Sequence, residues 1–185
     1  MHKLAVLFSG QGTNFAYLLN TLHGQGFEIV VAITNNPLAG GIAIAKNHNI
    51  PLEIIHATEY KNREDFDKEL VAVLEKYQAN LTILAGFMRI LSPIFTTKIH
   101  AINLHPSLLP KHKGLHAIEK SYADDSDRGG VSVHYVNETL DGGKIIVQKS
   151  IAKKALSFED YDSKIRSIEK IALKEAIKKI FEERR

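Results

Sequence analysis

Cysteine is absent from the 185 residues, which excludes disulfides, thiolate nucleophiles and cysteine-based metal sites. That absence is compatible with a reducing cytoplasm. Long apolar runs are missing too, so no stretch of the sequence is able to span a bilayer. Met1-His2-Lys3 leads into Leu4-Ala5-Val6-Leu7-Phe8, too short an apolar segment for a signal peptide and without a cleavage site. Charge of one sign is scarce: 24 Lys and Arg against 21 Asp and Glu leave a net charge of +3. With no basic-aromatic patch, this balance argues against nucleic acid, although it suits anionic small molecules. Lys174, Lys178, Lys179, Arg184 and Arg185 read as a solvated helix face. There is no Gly-x-Ser-x-Gly elbow, and Ser107 is followed by Leu108 and Leu109, which argues against a serine hydrolase. No His/Asp/Glu grouping has metal-ligand spacing, His112, His116 and His134 included, so no metal is expected.

What is present is 44% apolar and 24% charged sequence, ordinary for a globular protein. The length suits one domain, 1–185, with a sizeable core. Short apolar runs at Leu4–Phe8, Ile29–Thr34, Leu52–Ile55, Leu81–Ala85, Ala101–Leu104, Val131–Val136 and Ile145–Gln148 read as strands. Between the first five lie helical patterns near Asn14–Leu22, Gly41–Asn47, Arg63–Gln78 and Pro93–Lys98, the last with Ser92 as N-cap and Pro93 at the first helical position. Phe158, Tyr161, Ile165, Ile168, Ala172 and Ala176, spaced three and four apart, predict a long amphipathic C-terminal helix. The expected architecture is α/β: a mostly parallel, Rossmann-like sheet of about seven strands with helices on both faces. Partial alternation in 131–136 and a short connection onward predict an antiparallel C-terminal end.

The loop Ser9-Gly10-Gln11-Gly12-Thr13-Asn14 falls between a strand and a helix, where glycines and a helix N-terminus favour a phosphate. A dinucleotide fingerprint would need a small residue where Phe15 stands and an acid near Thr34-Asn35-Asn36, and a Walker loop would need Gly-Lys-Ser/Thr. A monophosphate fits better than either; the alternative is a tight turn with no ligand. Gly86-Phe87-Met88-Arg89-Ile90-Leu91 follows the fourth strand, where open α/β sheets place ligands. Met88, Ile90 and Leu91 either wall a pocket for a flat heterocycle, with exposed backbone groups on its edge, or are core, with Arg89 capping a helix.

Asn103 and His105 share one face of the fifth strand, ~6.6 Å apart along it. Asp141 follows in Leu140-Asp141-Gly142-Gly143. An amide donor beside a tunable imidazole suits addition to a carbonyl, and a nearby carboxylate is expected to hold the imidazole protonated. The bland alternatives are a structural Asn turn, a hydrogen-bonded His and an Asp-Gly-Gly turn. His134 is placed to line the site from a neighbouring strand. Arg166 and Glu169, i and i+3 on the last helix, read as a surface ion pair, and Arg63 reads as a surface residue opening a helix.

Taken together, Asn103-Leu104-His105-Pro106-Ser107-Leu108-Leu109-Pro110, Ala85–Pro93, Ser9–Asn14 and Leu140–Gly143 resemble the folate-dependent phosphoribosylglycinamide formyltransferases, in order and spacing, from residue 1 to about 170. The resemblance implies that fold, and transfer of a formyl group from 10-formyltetrahydrofolate to the amine of glycinamide ribonucleotide in purine biosynthesis. It implies a catalytic trio of Asn103, His105 and Asp141. It also implies that Gly12, Thr13 and Asn14 hold the substrate phosphate and that Glu169 contacts glycinamide ribonucleotide, with Arg166 assisting. Arg63, Met88, Arg89, Ile90, Leu91 and Asn103 would contact the folate. The expected location is cytoplasmic, and the sequence allows a homodimer without requiring one. This sequence departs from the family's usual pattern after Glu169, where the run Lys170-Ile171-Ala172-Leu173-Lys174 stands in place of a His and, soon after, an aromatic-Pro pair, and at His112, where an aromatic is common.

Two enzymes of related chemistry compete with this expectation. A formyltetrahydrofolate deformylase would bring an N-terminal regulatory domain and leave the Gly10–Asn14 loop without a purpose, and a methionyl-tRNA formyltransferase would bring a C-terminal RNA-binding domain. Neither extra domain fits in 185 residues. A non-catalytic nucleotide-binding module keeps the glycine loop and leaves the trio unexplained.

Overall fold

The computed structural model describes residues 1–183, which form two compact units, Met1–Ile102 and a second beginning at Asn103. Arg184 and Arg185, assigned above to a solvated helix face, lie outside the described residues.

In the first unit, strands β1 (His2–Phe8), β2 (Phe27–Thr34), β3 (Leu52–Ile54) and β4 (Leu81–Leu84) alternate with helices α1 (Thr13–Leu22), α2 (Gly41–Asn47), α3 (Arg63–Tyr77) and α4 (Pro93–Thr96). The strand order is β3-β2-β1-β4, and the pairs β1/β2, β1/β4 and β2/β3 are all parallel. Residues Leu4 to Phe8 and all of β4 are buried, as strands covered on both faces must be. β1 and β2 each begin two residues earlier than the apolar run, because a ladder pairs main-chain groups whatever side chains they carry; His2 and Lys3 face Phe27 and Glu28. Asn62 caps α3 as its side chain accepts from the Asp65 N–H at 2.8 Å. Ser92 occupies the N-cap position of α4, with Pro93 following, but makes no side-chain cap, and its hydroxyl is buried without a hydrogen-bond partner. Helix α4 also ends at Thr96, short of Lys98.

The second unit holds β5 (Ala101–His105, starting at the boundary), α5 (Ala117–Ala123), β6 (Arg128–Tyr135), β7 (Ile145–Ala152) and α6 (Phe158–Glu182). Its strand order is β5-β6-β7, and β6 and β7 are antiparallel, as the pattern predicted. Helix α6 packs on β6 and β7. Its buried stripe runs Tyr161, Ile165, Glu169, Ala172, Leu173, Ala176, Ile177, Ile180. The stripe is thus rotated from the expected one: Phe158 is exposed, Ile168 is half-buried, and Glu169 occupies a core-facing position. Lys178 and Lys179 are on the solvated side. Among the described residues there are seven strands and six α-helices in α/β alternation, mostly parallel with an antiparallel C-terminal end, the class expected from the sequence.

Candidate active site

In the first unit the loops at the carboxyl ends of β1, β2 and β4 converge on Ser9. Its hydroxyl donates to the Asn35 side-chain oxygen at 2.6 Å and accepts from the Met88 N–H at 2.8 Å. Its N–H donates to the Gly86 carbonyl at 3.0 Å, and its carbonyl accepts from the Asn36 amide at 3.0 Å. Beyond it, Gly12 stands at the N-cap of α1 with φ 74°, the left-handed region, and a Cβ there would fall 2.7 Å from the Gly41 Cα. Glycine is therefore required both by conformation and by space. No side chain caps α1, so its first-turn N–H groups, at Thr13 and Asn14, are left for an anion. The Asn14 side-chain oxygen is buried without a partner.

Met88 and Ile90 are 69% and 57% exposed, so the alternative that places them in the core fails, and Leu91 is half-buried beside them. Two main-chain amides of this loop are committed internally: the Met88 N–H to Ser9, and the Arg89 N–H to the Phe87 carbonyl at 3.0 Å. Arg89 caps no helix; its guanidinium lies 4.0 Å over the Phe66 ring. The far end of the loop is held by buried Asp67, which accepts from the Ser92 N–H at 2.5 Å. Arg63 is exposed at the start of α3 and pairs with Glu64 at 3.6 Å.

The catalytic candidates all lie in the second unit, and the structure brings them together. Asn103 and His105 end β5, and Asp141 projects from the tight turn Thr139–Gly142 with φ 48°. The Asp141 side chain is 6% exposed. One of its oxygens lies 3.4 Å from His105 Nδ1 and accepts from the Gly114 N–H at 2.8 Å; the other accepts from the Asn103 amide at 3.4 Å and lies 3.5 Å from His134 Nε2. The two histidines are fixed from behind by main-chain carbonyls. His105 Nε2–H donates to the His112 carbonyl at 2.8 Å, and His134 Nδ1–H donates to the Tyr135 carbonyl at 2.8 Å. A carbonyl only accepts, so each contact assigns its proton. His134 Nε2 is then an acceptor, and the Asn103 amide donates to it at 3.2 Å.

Burial pushes the His105 pKa below its ordinary value, outweighing the His112 carbonyl and the Asp141 charge, which raise it. This corrects the expectation of a protonated His105: the free protein carries it neutral at pH 7, because taking a charge into a site this buried costs more than one carboxylate at 3.4 Å returns. For Asp141, burial works to raise the carboxyl, but contact with the His134 imidazole, the hydrogen bond from the Gly114 N–H and the His105 imidazole beside it hold it below the usual carboxylate range. The site is therefore a fixed anion beside a neutral imidazole ready to take a proton, with an amide whose donors make only long bonds of 3.2 and 3.4 Å.

Farther along the same unit, Arg166 pairs with Asp162 at 2.9 Å. Glu169 is buried on α6 at 8% exposure. Sequence reasoning missed a group behind His105: His112 bonds Asp124 at 2.6 Å, and Asp124 bonds buried Lys153 at 2.5 Å. Among the described residues no group of three or more His, Cys, Asp or Glu side chains could hold a metal ion, and no helix is long and apolar enough to cross a membrane.

Residues 2–177 match the family model described as Formyl transferase, and the chain belongs to that family. Within it, the chain is similar to the crystal structure of phosphoribosylglycinamide formyltransferase from Campylobacter jejuni subsp. jejuni NCTC 11168, at 50% identity and TM-score 0.96 over 97% of each chain. It is 36% identical over 155 residues to the phosphoribosylglycinamide formyltransferase of Haemophilus influenzae, covering 82% of this chain and 73% of that protein. It is also 37% identical over 156 residues to the trifunctional purine biosynthetic protein adenosine-3 of Homo sapiens, where the match covers 82% of this chain but only 15% of that protein.

Proposed function

We propose that this protein transfers the formyl group of 10-formyltetrahydrofolate to the amine of glycinamide ribonucleotide, giving formylglycinamide ribonucleotide for purine biosynthesis. The observation that carries this reading is Asp141 lying 3.4 Å from both Asn103 and His105. The amine nitrogen attacks the formyl carbon directly, and the bond from that carbon to the folate nitrogen then breaks; one proton leaves the amine and one reaches the departing nitrogen. The Asn103 amide exchanges its long internal bonds for a shorter, charge-assisted one to the tetrahedral oxyanion. His105, neutral at rest, takes the amine proton, and the resulting imidazolium is stabilised by Asp141. A water held by Asp141 is the alternative carrier of that proton. No covalent intermediate on the protein is needed.

In the same reading residues 1–185 act as one formyltransferase domain. Uncapped α1 with Gly12, Thr13 and Asn14 receives the phosphate of glycinamide ribonucleotide. Exposed Met88 and Ile90, with Leu91, Arg89 and Arg63, receive the folate. Glu169 contacts glycinamide ribonucleotide. Cytoplasmic residence and a homodimer belong to this proposal, and light scattering on the purified protein tests the dimer.

One assay separates the readings. Loss of the formyl group from 10-formyltetrahydrofolate is followed with and without glycinamide ribonucleotide. Acceptor-dependent loss is expected; loss without acceptor would make the protein a deformylase, and no loss at all would leave a nucleotide-binding module.

A further inference from the structure

Lys153 is a buried cation, 8% exposed, and its ammonium is directed wholly inward. It donates to the main-chain carbonyls of Ser121 at 2.6 Å and Asp124 at 2.7 Å, and to the Asp124 carboxylate at 2.5 Å. A buried ammonium is costly unless fully hydrogen-bonded, and here three of its contacts fix the C-terminal end of α5 and the Asp124 side chain. Asp124 accepts as well from the Ser126 N–H at 2.9 Å. Its partial burial would raise the carboxyl, yet these donors hold it far below the ordinary range, so it is a permanent anion.

The second oxygen of that anion bonds His112 Nε2 at 2.6 Å. His112 has φ 56°, the left-handed region, which an L residue with a ring side chain adopts only when something holds it there. Ser107 anchors the preceding peptide by donating to the Lys111 carbonyl at 2.5 Å, and Asp124 anchors the ring. The consequence appears on the other side of the same residue: its carbonyl meets His105 Nε2 at 2.8 Å. Without that carbonyl, Nδ1–H donating to Asp141 at 3.4 Å would be the competing tautomer, and the lone pair would move to the wrong nitrogen.

We propose that Asp124, clamped by Lys153, is a positioning residue for His105, acting through His112: it holds the strained loop whose main-chain carbonyl selects the Nε2–H tautomer and keeps Nδ1 free to accept a proton. This rests on the catalytic reading of His105, but the tautomer itself is measurable without turnover. Nothing in the path is a side-chain contact to His105, so the device is invisible to a search for residues lining the site.

The test uses the full chain labelled with ¹⁵N-histidine, free of substrate, at neutral pH. In the unaltered protein the His105 ring should show a protonated Nε2 and an unprotonated Nδ1. His112→Phe removes the bond to Asp124 and keeps the ring volume; a cavity of about 340 Å³ lined by His112, Asp124, Leu108 and Arg128 gives it room. The expected result is averaged His105 nitrogen shifts from mixed tautomers, a kcat for formyl transfer lower by roughly fivefold to tenfold, and a KM for glycinamide ribonucleotide within about twofold. Asp124→Ala should act in the same direction, and His112→Phe covers the case in which unpaired Lys153 prevents that variant from folding. A single Nε2–H tautomer persisting in folded His112→Phe would overturn the proposal. If the unaltered protein transfers no formyl group, the functional reading falls by itself, and the tautomer comparison still decides this one.

Discussion

The loops of the first unit and the cluster of the second are built from opposite materials. Around Ser9 the bonds are neutral, among hydroxyl, side-chain amide and main-chain groups, and the exposed surface is apolar at Met88 and Ile90. Around Asp141 they join ionisable groups: His105, His134, and behind them His112, Asp124 and Lys153. A binding loop needs shape and directed N–H groups, which neutral bonds supply at every pH. A proton-moving site needs groups whose charge can change, and those must be buried together to have their pKa values set by one another. The contrast predicts that damage to the first unit appears mainly in KM and damage to the second mainly in kcat.

The sharpest way to break that contrast lies in the second unit. Asn103→Ala or His105→Ala should lower kcat by ~10²–10³ while the protein stays folded, the usual loss on removing an oxyanion donor or the group that moves the proton. Steady-state kinetics beside circular dichroism checks this, and near-normal turnover in either variant would remove the trio from the mechanism. In the first unit, Gly12→Ala should raise the KM for glycinamide ribonucleotide by roughly tenfold and cost about 1–3 kcal/mol of stability, through the left-handed backbone and the approach to Gly41. A thermal melt and a KM measurement read the two effects, and an unchanged KM would detach this loop from phosphate binding.

Acidification should be felt in the second unit. His105 has a folded pKa below its unfolded value near 6.5, so the unfolded chain gains a proton first, and stability falls as the pH drops through that window. Asp141 and Asp124 are depressed, so their contribution is complete above about pH 4 and is lost as the pH falls through their folded values. Tm should therefore decline steadily from neutral pH, and the acid limb of kcat/KM should lie below 6.5. An acid limb above 6.5 would restore a charged His105 as the resting state. The smallest effect is expected at Met88→Ser: the side chain is 69% exposed, so Tm should hold within about 1 °C while the KM for the folate rises a fewfold. A loss of kcat there instead would blur the division between the units.

How much of this was legible in the sequence follows from what each feature is made of. Strands of Leu, Val and Ile announce themselves, and the i, i+2 spacing of Asn103 and His105 with an Asp-Gly-Gly turn carried the trio. The last residues of β7, Lys149 to Ala152, were not legible, because they pair with Arg128 to Val131 through main-chain groups. Helix α5 was missed because it has seven residues, no side-chain cap, and starts after His116 in a left-handed conformation. The path from Lys153 to His105 joins residues 29, 12 and 7 positions apart and ends in a peptide carbonyl, which every residue possesses. The charge state of His105 was misjudged for a related reason: a neighbouring carboxylate can be guessed from a motif, but the depth of burial opposing it cannot.

The Ser9 hydroxyl, which bonds both Asn35 and the Met88 N–H, has a consequence in linkage. It ties together the ends of β1, β2 and β4, and the expected consequence is that a ligand ordering the Gly10–Asn14 loop lowers the entropy still to be lost at Gly86–Leu91. Reciprocity then requires that a phosphate ligand at the first loop and a heterocycle at the second tighten one another by the same factor. Ser9→Ala would leave each able to bind alone while reducing that factor, since the Ser9 N–H on Gly86 and the Asn36 amide on the Ser9 carbonyl still join the three loops.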